Sequence, residues 1–258
     1  SEVWVGEQSG KTQDRGEVVP ATDCVVECAS VAPKGNEKYV ALTFDEGPSG
    51  ATKQILQVLK EKGVTATFFL SGDAAEASPA MAKAIVDAGC EVGSNSYSDE
   101  SLKGKDRDAV REQVSKGTEA IKSATGTSTM LLRAPYAAFD EQNWIDAMDL
   151  VSAVVSWNID SGDWLLNGAD EQVSTVLDSV TPGNIVLLTD NDECAEQTLE
   201  ALPQIIDGLI ADGYKIVTLS DLVKTDTSLG KKLTSLTKVT MPKNAVFPQL
   251  AEDDDTTD

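Results

Sequence analysis

The sequence predicts an α/β fold with a parallel sheet, and three observations lead to this. Short apolar runs rich in Val, Ile, Leu and Phe recur between residues 38 and 223. Amphipathic segments of helical length separate these runs, and parallel strands need such crossover connections. Polar or charged residues follow most of the apolar runs. We therefore expect about seven parallel strands, whose candidates are residues 38–45, 65–71, 90–95, 130–134, 151–159, 184–189 and 214–218.

The helices are predicted from apolar residues that recur on one face. The candidates are residues 50–62, 75–89, 106–124, 140–149, 169–180 and 194–212. Gly89, Gly126 and Gly213 stand where C-terminal caps belong. Pro203 lies inside the last helix, so we expect a kink or a break there.

The alternating region defines one domain over residues 38–223. Residues 1–37 read as an irregular N-terminal arm with room for one short strand. Residues 224–258 form a less regular C-terminal extension that ends in an acidic segment, which we expect to be disordered. The sequence starts at Ser1 without Met, which is the pattern left when an upstream signal peptide is removed or omitted.

The charge of the chain argues against two classes of partner. There are 43 acidic and 21 basic residues, so the formal net charge is -22. We expect no nucleic-acid binding, because phosphate contacts need Lys and Arg. Anionic membrane surfaces would repel the chain, and no stretch of about 20 apolar residues is present to insert into a bilayer.

Cysteine and histidine content limits the chemistry. Cys24 and Cys28 are close enough in sequence to pair locally, whereas Cys90 and Cys194 fit either small buried residues or a disulfide. The chain contains no histidine. No imidazole is therefore available as a metal ligand, general base or general acid.

The segment Lys38–Pro48 organises the rest of the chain. Its apolar run ends in two adjacent acids, Asp45 and Glu46, followed by Gly-Pro. One acid at this place would serve as an N-terminal cap for the helix predicted at 50–62. Two acids in tandem at the end of a buried strand favour a functional site instead.

Other strand ends carry polar or aromatic groups too. The carboxyl ends of parallel strands share one edge of the sheet, and functional groups collect there in α/β folds. The segments concerned are Gly93–Asp99, Arg133–Tyr136, Trp157–Trp164 and Leu187–Asp190.

In order and spacing, these segments resemble the five motifs of the polysaccharide deacetylases, the NodB-homology domain of carbohydrate esterase family four. The resemblance covers residues 38–223. It implies a distorted (β/α) barrel with an open groove. It also implies removal of acetyl groups from peptidoglycan, chitin-like or xylan polymers with a divalent metal, and hence an extracellular or cell-envelope location.

The resemblance also implies roles for single residues. Asp45 takes the place of the catalytic base and Glu46 that of a metal ligand. Asn95 and Asp99 stand where the family has two metal-binding histidines. Thr189 stands where the family has the histidine that protonates the leaving group.

The remaining motif residues match the family. Arg133 takes the place of the arginine that orients the base, and Asp163 that of the acid that tunes the catalytic histidine. Tyr136, Trp164 and Leu187 fall at substrate-binding positions of the groove. Tyr136 and Trp164 are the aromatic side chains expected to stack on a sugar ring, whereas Trp144 and Trp157 are expected in the core.

Glu46, Asn95 and Asp99 form an all-oxygen set, to which Asp190, Asn191 and Asp192 could add. Oxygen ligands suit Mg²⁺, Ca²⁺ or Mn²⁺ better than Zn²⁺. A transition metal and a polar cleft with no metal both stay open as alternatives.

Three functions follow. The first is a deacetylase-like protein with a degenerate site that binds N-acetylated glycans. The second is a working hydrolase in which Asp45 is the base and Asp163 or Asp190 the acid, with a two-carboxylate glycosidase as a variant. The third is an envelope interaction protein that uses the barrel as a scaffold. The oligomeric state is not predicted.

Overall fold

The computed structural model describes residues 31–147 and 149–226, together with the backbone of four short strands nearer the N-terminus. These strands are β1 (Val3–Gly6), β2 (Thr12–Gln13), β3 (Glu17–Val18) and β4 (Val26–Ala29). β1 pairs antiparallel with β4, and β2 with β3. The domain boundaries stay predictions.

The main sheet confirms the predicted fold class. Its strands are β5 (Lys38–Asp45), β6 (Thr67–Leu70), β7 (Glu91–Ser94), β8 (Leu131–Leu132), β9 (Ala153–Val155), β10 (Ile159–Asp160), β11 (Ile185–Thr189) and β12 (Tyr214–Ile216). Seven of them pair in parallel in the order β10-β11-β5-β6-β7-β8-β9. β12 pairs with the first residues of β5, and β1 adds to β9 in antiparallel orientation. The curled sheet with its helices forms a distorted (β/α) barrel.

The strand predicted at 151–159 is wrong as a single element. It is two strands, β9 and β10, which lie at opposite ends of the sheet order. The carbonyls of Val155, which ends β9, and of Ser156, which follows it, accept hydrogen bonds from the Arg133 side chain. The chain can therefore leave β9, before β10 begins at Ile159, without leaving these carbonyls unpaired.

The helices follow the predicted periodicity. They are α1 (Thr52–Lys62), α2 (Gly72–Ala77), α3 (Pro79–Asp87), α4 (Arg107–Thr125), α5 (Glu141–Ala147), α6 (Ala169–Leu177), α7 (Ala195–Ala211) and α8 (Leu219–Lys224). Two 3₁₀ turns occupy Pro135–Ala137 and Asp163–Leu165. Gly89, Gly126 and Gly213 all have positive φ angles, as helix-ending glycines should.

Two prolines were expected to matter for the helices or do so in the structure, with different outcomes. The candidate 75–89 is two helices, because Pro79 has no N–H to continue α2 and instead begins α3. Pro203 does not break α7, which runs through it as one helix. The short helix α8 was not predicted, although Thr218 caps it through a hydrogen bond from the Asp221 N–H.

Each face of β5 contributes to a different part of the core. Leu42 and Phe44 face the outer helices, and Phe44 stacks on Phe68 with ring centroids 4.9 Å apart. Ala41 faces the barrel interior, where it meets Trp157. This alternation is the period-two pattern of a strand that is buried on both sides.

Several residues outside the sheet behave as predicted. Trp144 and Trp157 are buried, and so are the free thiols of Cys90 and Cys194. The proposed pairing of Cys24 with Cys28, the C-terminal extension beyond residue 226 and the acidic segment lie outside the described residues. In the part of the chain that the structure describes, no helix has the length and apolar character needed to cross a membrane.

Candidate active site

The predicted site residues gather at the carboxyl ends of the strands. Asp45 ends β5 and Thr189 ends β11, and these two residues pair across the sheet. Asn95 directly follows β7 and Arg133 follows β8. Asp163 follows β10 in the 3₁₀ turn that also carries Trp164. The five segments therefore come together around one hollow, whereas the roles of their residues stay predictions.

The centre of this hollow is a buried ion pair. Nη1 of Arg133 lies 2.8 Å from Oδ1 of Asp45, and the Arg133 side chain is only 1% exposed. The same Nη1 donates to the Thr43 hydroxyl at 2.7 Å, and Nε and Nη2 donate to the backbone of Val155 and Ser156. The guanidinium also lies over the Phe69 ring, 4.2 Å from its centroid.

Burial raises the pKa of Asp45 to about 6, although the Arg133 charge acts in the opposite direction. The carboxyl is therefore mostly ionised at neutral pH. One of its oxygens is used by Arg133, and the side chain keeps 14% exposure towards the groove. Asp45 is placed where an ionised carboxylate can act on a ligand.

The tandem acids do not cap α1. That helix begins at Thr52, and its N-cap residue is Ala51, without a side-chain cap. The capping interpretation for Asp45 and Glu46 is therefore wrong. Glu46 instead adopts a left-handed conformation with φ of 76°, which turns the chain sharply after β5.

Asp190 holds this turn in place. Its two carboxylate oxygens accept hydrogen bonds from the hydroxyls of Ser49 and Thr52, at 2.7 and 2.6 Å. Its N–H donates to the Asp45 carbonyl. A Cβ at Gly47 would lie 2.2 Å from Oδ2 of Asp190, so only glycine fits there. Both carboxylate oxygens of Asp190 are therefore used to hold this turn.

The next two residues support the same turn. Nδ2 of Asn191 donates to Oε2 of Glu46 at 2.7 Å, and its Oδ1 accepts from the Cys194 N–H. Oδ1 of Asp192 accepts from the Gly50 N–H at 3.0 Å. These contacts make the segment after β11 a support for the segment after β5.

The predicted metal ligands are near one another but have other partners. Asn95 is buried and its Nδ2 donates to the Arg133 carbonyl at 2.8 Å. Asp99 accepts from the Tyr136 hydroxyl at 2.7 Å. Burial, with a smaller contribution from the charge of Asp99, raises the pKa of Glu46. The charges of Glu46 and Asp99 are therefore close enough to interact.

These residues do not fit a preformed metal centre. Among the described residues, no three acidic or cysteine side chains are arranged to hold a metal ion. Glu46, Asn95 and Asp99 are each bound to a neutral donor or a carbonyl instead. A divalent cation stays compatible with their hard oxygens, because Asn95 uses only its Nδ2 in these contacts and the two carboxylates use one oxygen each.

Asp163 is bound to the residue that replaces the expected histidine. Its Oδ1 accepts from the Thr189 hydroxyl at 3.0 Å, and its Oδ2 accepts from the Thr189 N–H and the Thr198 hydroxyl, at 2.6 and 3.1 Å. It is fully buried, and burial raises its pKa to about 7. No basic side chain is among these partners.

The sequence analysis missed Asp160 as a site residue. It is 4% exposed, and its carboxylate accepts from the Gly162 N–H and from Nε1 of Trp164. Burial raises its pKa, and its charge in turn raises the pKa values of Asp45 and Asp163. Its position at the carboxyl end of β10 was the signal available in the sequence.

The predicted substrate-binding residues differ in exposure. Tyr136 and Trp164 are 53% and 39% exposed, which suits a surface that a sugar ring could cover. Tyr136 has a φ of 60°, and its hydroxyl, bound to Asp99, has its pKa raised to about 12. Leu187 is 7% exposed and packs with Trp157 and Phe69, so it offers little surface to a ligand.

Comparison with known proteins decides the family. A family model described as polysaccharide deacetylase matches residues 32–151. A peptidoglycan-N-acetylglucosamine deacetylase of Bacillus cereus is 32% identical over 217 residues, which cover 83% of this chain and 79% of that protein. The chain belongs to the polysaccharide deacetylase family.

Other relatives in the polysaccharide deacetylase family differ from one another in length and in activity. A bifunctional xylanase/deacetylase of Pseudobutyrivibrio xylanivorans is 36% identical over 72% of this chain, but the match spans only 31% of that longer protein. A solved CE4 family pseudoenzyme from Bacillus anthracis superposes with a TM-score of 0.68 and is 32% identical, covering 76% of this chain and 70% of that one. The fold is thus shared by enzymes and by at least one pseudoenzyme.

The support that Asp190 gives to the β5 turn can be measured. Asp190→Ala leaves the Ser49 and Thr52 hydroxyls without their acceptor, so we expect the free energy of unfolding to fall by about 1–3 kcal/mol. Urea denaturation measures this. The control is Asp192→Ala, which removes an exposed carboxylate with one backbone contact and should change stability by less than about 0.5 kcal/mol. Equal losses of unfolding free energy in Asp190→Ala and Asp192→Ala would contradict the role of Asp190 as the support of the turn.

The raised pKa of Asp163 predicts a pH dependence of stability. Its pKa is about 7 in the fold against 3.8 for an unperturbed group. The folded state keeps the proton between these values, so this contribution to stability is full below pH 3.8 and is lost as the pH rises through about 7. Urea denaturation between pH 5 and 8 should show a shallower decline for Asp163→Asn than for the wild type. The exposed variant Asp170→Asn should keep the wild-type slope, and an unchanged slope in Asp163→Asn would refute the prediction.

Proposed function

We propose that this protein binds N-acetylated glycan strands of the peptidoglycan or chitin type in its groove and that its site is degenerate, so that acetyl groups are not removed at a measurable rate. The observation that carries the proposal is the partner of Asp163. Where the family resemblance places an imidazole, the carboxylate binds the Thr189 hydroxyl.

The groove keeps what recognition needs. Arg133 holds Asp45 ionised and fixed at the centre of the hollow. Tyr136 and Trp164 present partly exposed rings near the same strand ends. Exposed aromatic rings with an apolar face and a polar edge are well suited to contact sugars. These features support binding of a glycan strand over Asp45.

The groove lacks what hydrolysis of an amide needs. The departing amine must receive a proton, and the threonine hydroxyl is too weak an acid to give one near neutral pH. A positioned general acid or base typically contributes about 10² to 10⁴ in rate. A bound cation would polarise the acetyl carbonyl, but the described residues contain no cluster of three acidic or cysteine side chains that could hold one.

A cation, where one binds, belongs to the oxygen-preferring class. We assign Mg²⁺, Ca²⁺ or Mn²⁺ to Glu46, Asn95 and Asp99 in preference to Zn²⁺, since all three side chains offer oxygen. We also propose a location in the cell envelope or the extracellular space, because peptidoglycan and chitin-like polymers lie outside the cytoplasm.

One observation favours a second candidate, a slow hydrolase. The pKa of Asp163 is about 7, so its carboxyl is partly protonated at neutral pH. A carboxylic acid kept protonated by burial can serve as a general acid. In this alternative Asp45 is the base and Asp163 the acid.

Glycan binding without turnover is the direct test of the proposal. We expect a tetramer of N-acetylglucosamine to bind in isothermal calorimetry while acetate release stays at background with Mg²⁺, Ca²⁺, Mn²⁺, Zn²⁺ or Co²⁺. Trp164→Ala should weaken binding at least about fivefold, because the ring surface that the sugar covers is lost. The control is Ile210→Ala, an exposed residue at the end of α7, which should bind as the wild type does. Acetate release that disappears in Asp45→Asn would show the slow hydrolase instead.

Introducing the family's residues at four positions of the site should restore deacetylation. A mutant of the Bacillus anthracis pseudoenzyme with restored enzymatic activity has been solved. We expect the combined variant Glu46→Asp, Asn95→His, Asp99→His and Thr189→His to release acetate with Zn²⁺ or Co²⁺. The matched control keeps Thr189 and should be about 10² to 10⁴ slower, because it lacks the general acid. Equal rates with and without the histidine at position 189 would contradict the role assigned to that position.

A further inference from the structure

A groove lies between α1 and α3 on the outer side of the sheet. Its lining extends from Lys53, at the start of α1, to Val64 and Thr65, which precede β6, and Cys90, which precedes β7. Most of the groove therefore lies outside the sheet and towards the amino ends of the strands, whereas the candidate active site lies at their carboxyl ends. The groove has a volume of about 890 Å³, within the range of pockets that hold small organic ligands.

The floor of the groove is mainly apolar. Leu56, Val64, Met81 and Ala84 line it and are each partly buried. The strand edges near it are already paired, since β6 bonds to β7 on one side and to β5 on the other. A bound peptide would find no free strand edge for its backbone, whereas an alkyl chain needs no hydrogen-bond partner.

Two lysines stand at the edge of the groove. Lys53 and Lys60 both belong to α1, both line the groove and both are exposed. They are seven residues apart, or about two helical turns, so they lie on the same side of α1. Neither side-chain ammonium group has an ion-pair or hydrogen-bond partner within residues 31–147 and 149–226.

Lys53 lies at an electrostatically unfavourable position, near the N-terminus of α1. It is the second residue of α1, and no acid stands in that first turn to offset it. A cation near a helix N-terminus opposes the helix dipole, so this position costs stability unless something else uses the charge. Asp87, the acid on the opposite wall, does not neutralise it, because both of its carboxylate oxygens bind Lys83.

We propose that this groove binds a fatty-acid anion, with its alkyl chain along the apolar floor and its carboxylate between Lys53 and Lys60. The charge complementarity is local, since the chain as a whole carries a net charge of -22 and repels anions elsewhere. The site goes beyond the glycan function and is independent of it.

The test compares ligands that share a chain length and differ in charge. We expect dodecanoate, below its micelle concentration, to bind the full-length protein with one-to-one stoichiometry in isothermal calorimetry. Dodecyltrimethylammonium, with the same chain and the opposite charge, should bind at least tenfold more weakly. Butyrate should show no measurable binding, because its chain is too short to fill the groove.

Substitutions in the groove between α1 and α3 test whether dodecanoate binds there. The pair Lys53→Gln and Lys60→Gln should weaken dodecanoate binding at least tenfold, and Ala84→Trp, which fills the floor, should abolish it. The matched control pair Lys103→Gln and Lys122→Gln removes two exposed lysines elsewhere and should leave the affinity unchanged.

Three outcomes would overturn the proposal. Equal binding of the cationic and anionic amphiphiles would show adsorption to any apolar surface. An equal effect of the two lysine pairs would show general charge screening. Binding of an acidic peptide at the groove, with no binding of dodecanoate, would assign a different occupant.

Discussion

The buried guanidinium of Arg133 connects the parts of the structure on which the groove depends. It bonds to Asp45 and Thr43 on β5 and to the two carbonyls where the chain leaves β9, and it packs on the Phe69 ring of β6. A charged side chain that is 1% exposed is tolerated only when nearly all of its donors are used, as they are here. Arg133 therefore fixes both the central carboxylate and the point at which the chain leaves β9.

Several acidic side chains surround the Arg133 guanidinium in the candidate active site. Asp45, Glu46, Asp99, Asp160 and Asp163 all lie near it or near one another, and burial or a neighbouring charge raises the pKa of four of them. The hydroxyls of Thr189 and Tyr136 and the amide of Asn191 bind three of these carboxylates. Neutral donors of this kind stabilise a carboxylate but are too weakly acidic to protonate a leaving group near neutral pH.

The sequence predicted those parts of the fold in which local pattern and tertiary structure agree. The strand at 38–45 and the one at 184–189 were clear because both are continuous apolar runs, and their ends identified the site. The single strand at 151–159 was wrong because the Arg133 side chain, 22 residues earlier, takes the carbonyls that end β9. Residues 75–89 were predicted as one helix because the effect of Pro79 at a helix start was not recognised.

The contacts that support the site could not be predicted either, because they join residues that are far apart in sequence. Asp190 was interpreted as an acid or a ligand, but it binds hydroxyls about 140 residues away in sequence. The proposed ligands Glu46, Asn95 and Asp99 were chosen by motif position, and only coordinates show that each has another partner. The groove between α1 and α3 likewise depends on how two helices pack, which no local pattern records.

The central claim is that the groove holds a glycan over Asp45 without cleaving it. The most direct measurement is a crystal structure of the protein with a tetramer of N-acetylglucosamine, grown with Mg²⁺ and again with Zn²⁺. We expect intact acetyl groups in both, with one sugar ring against Trp164 and its acetamide next to Asp45. Free acetate beside a deacetylated sugar, or a glycan bound elsewhere on the surface, would contradict the account.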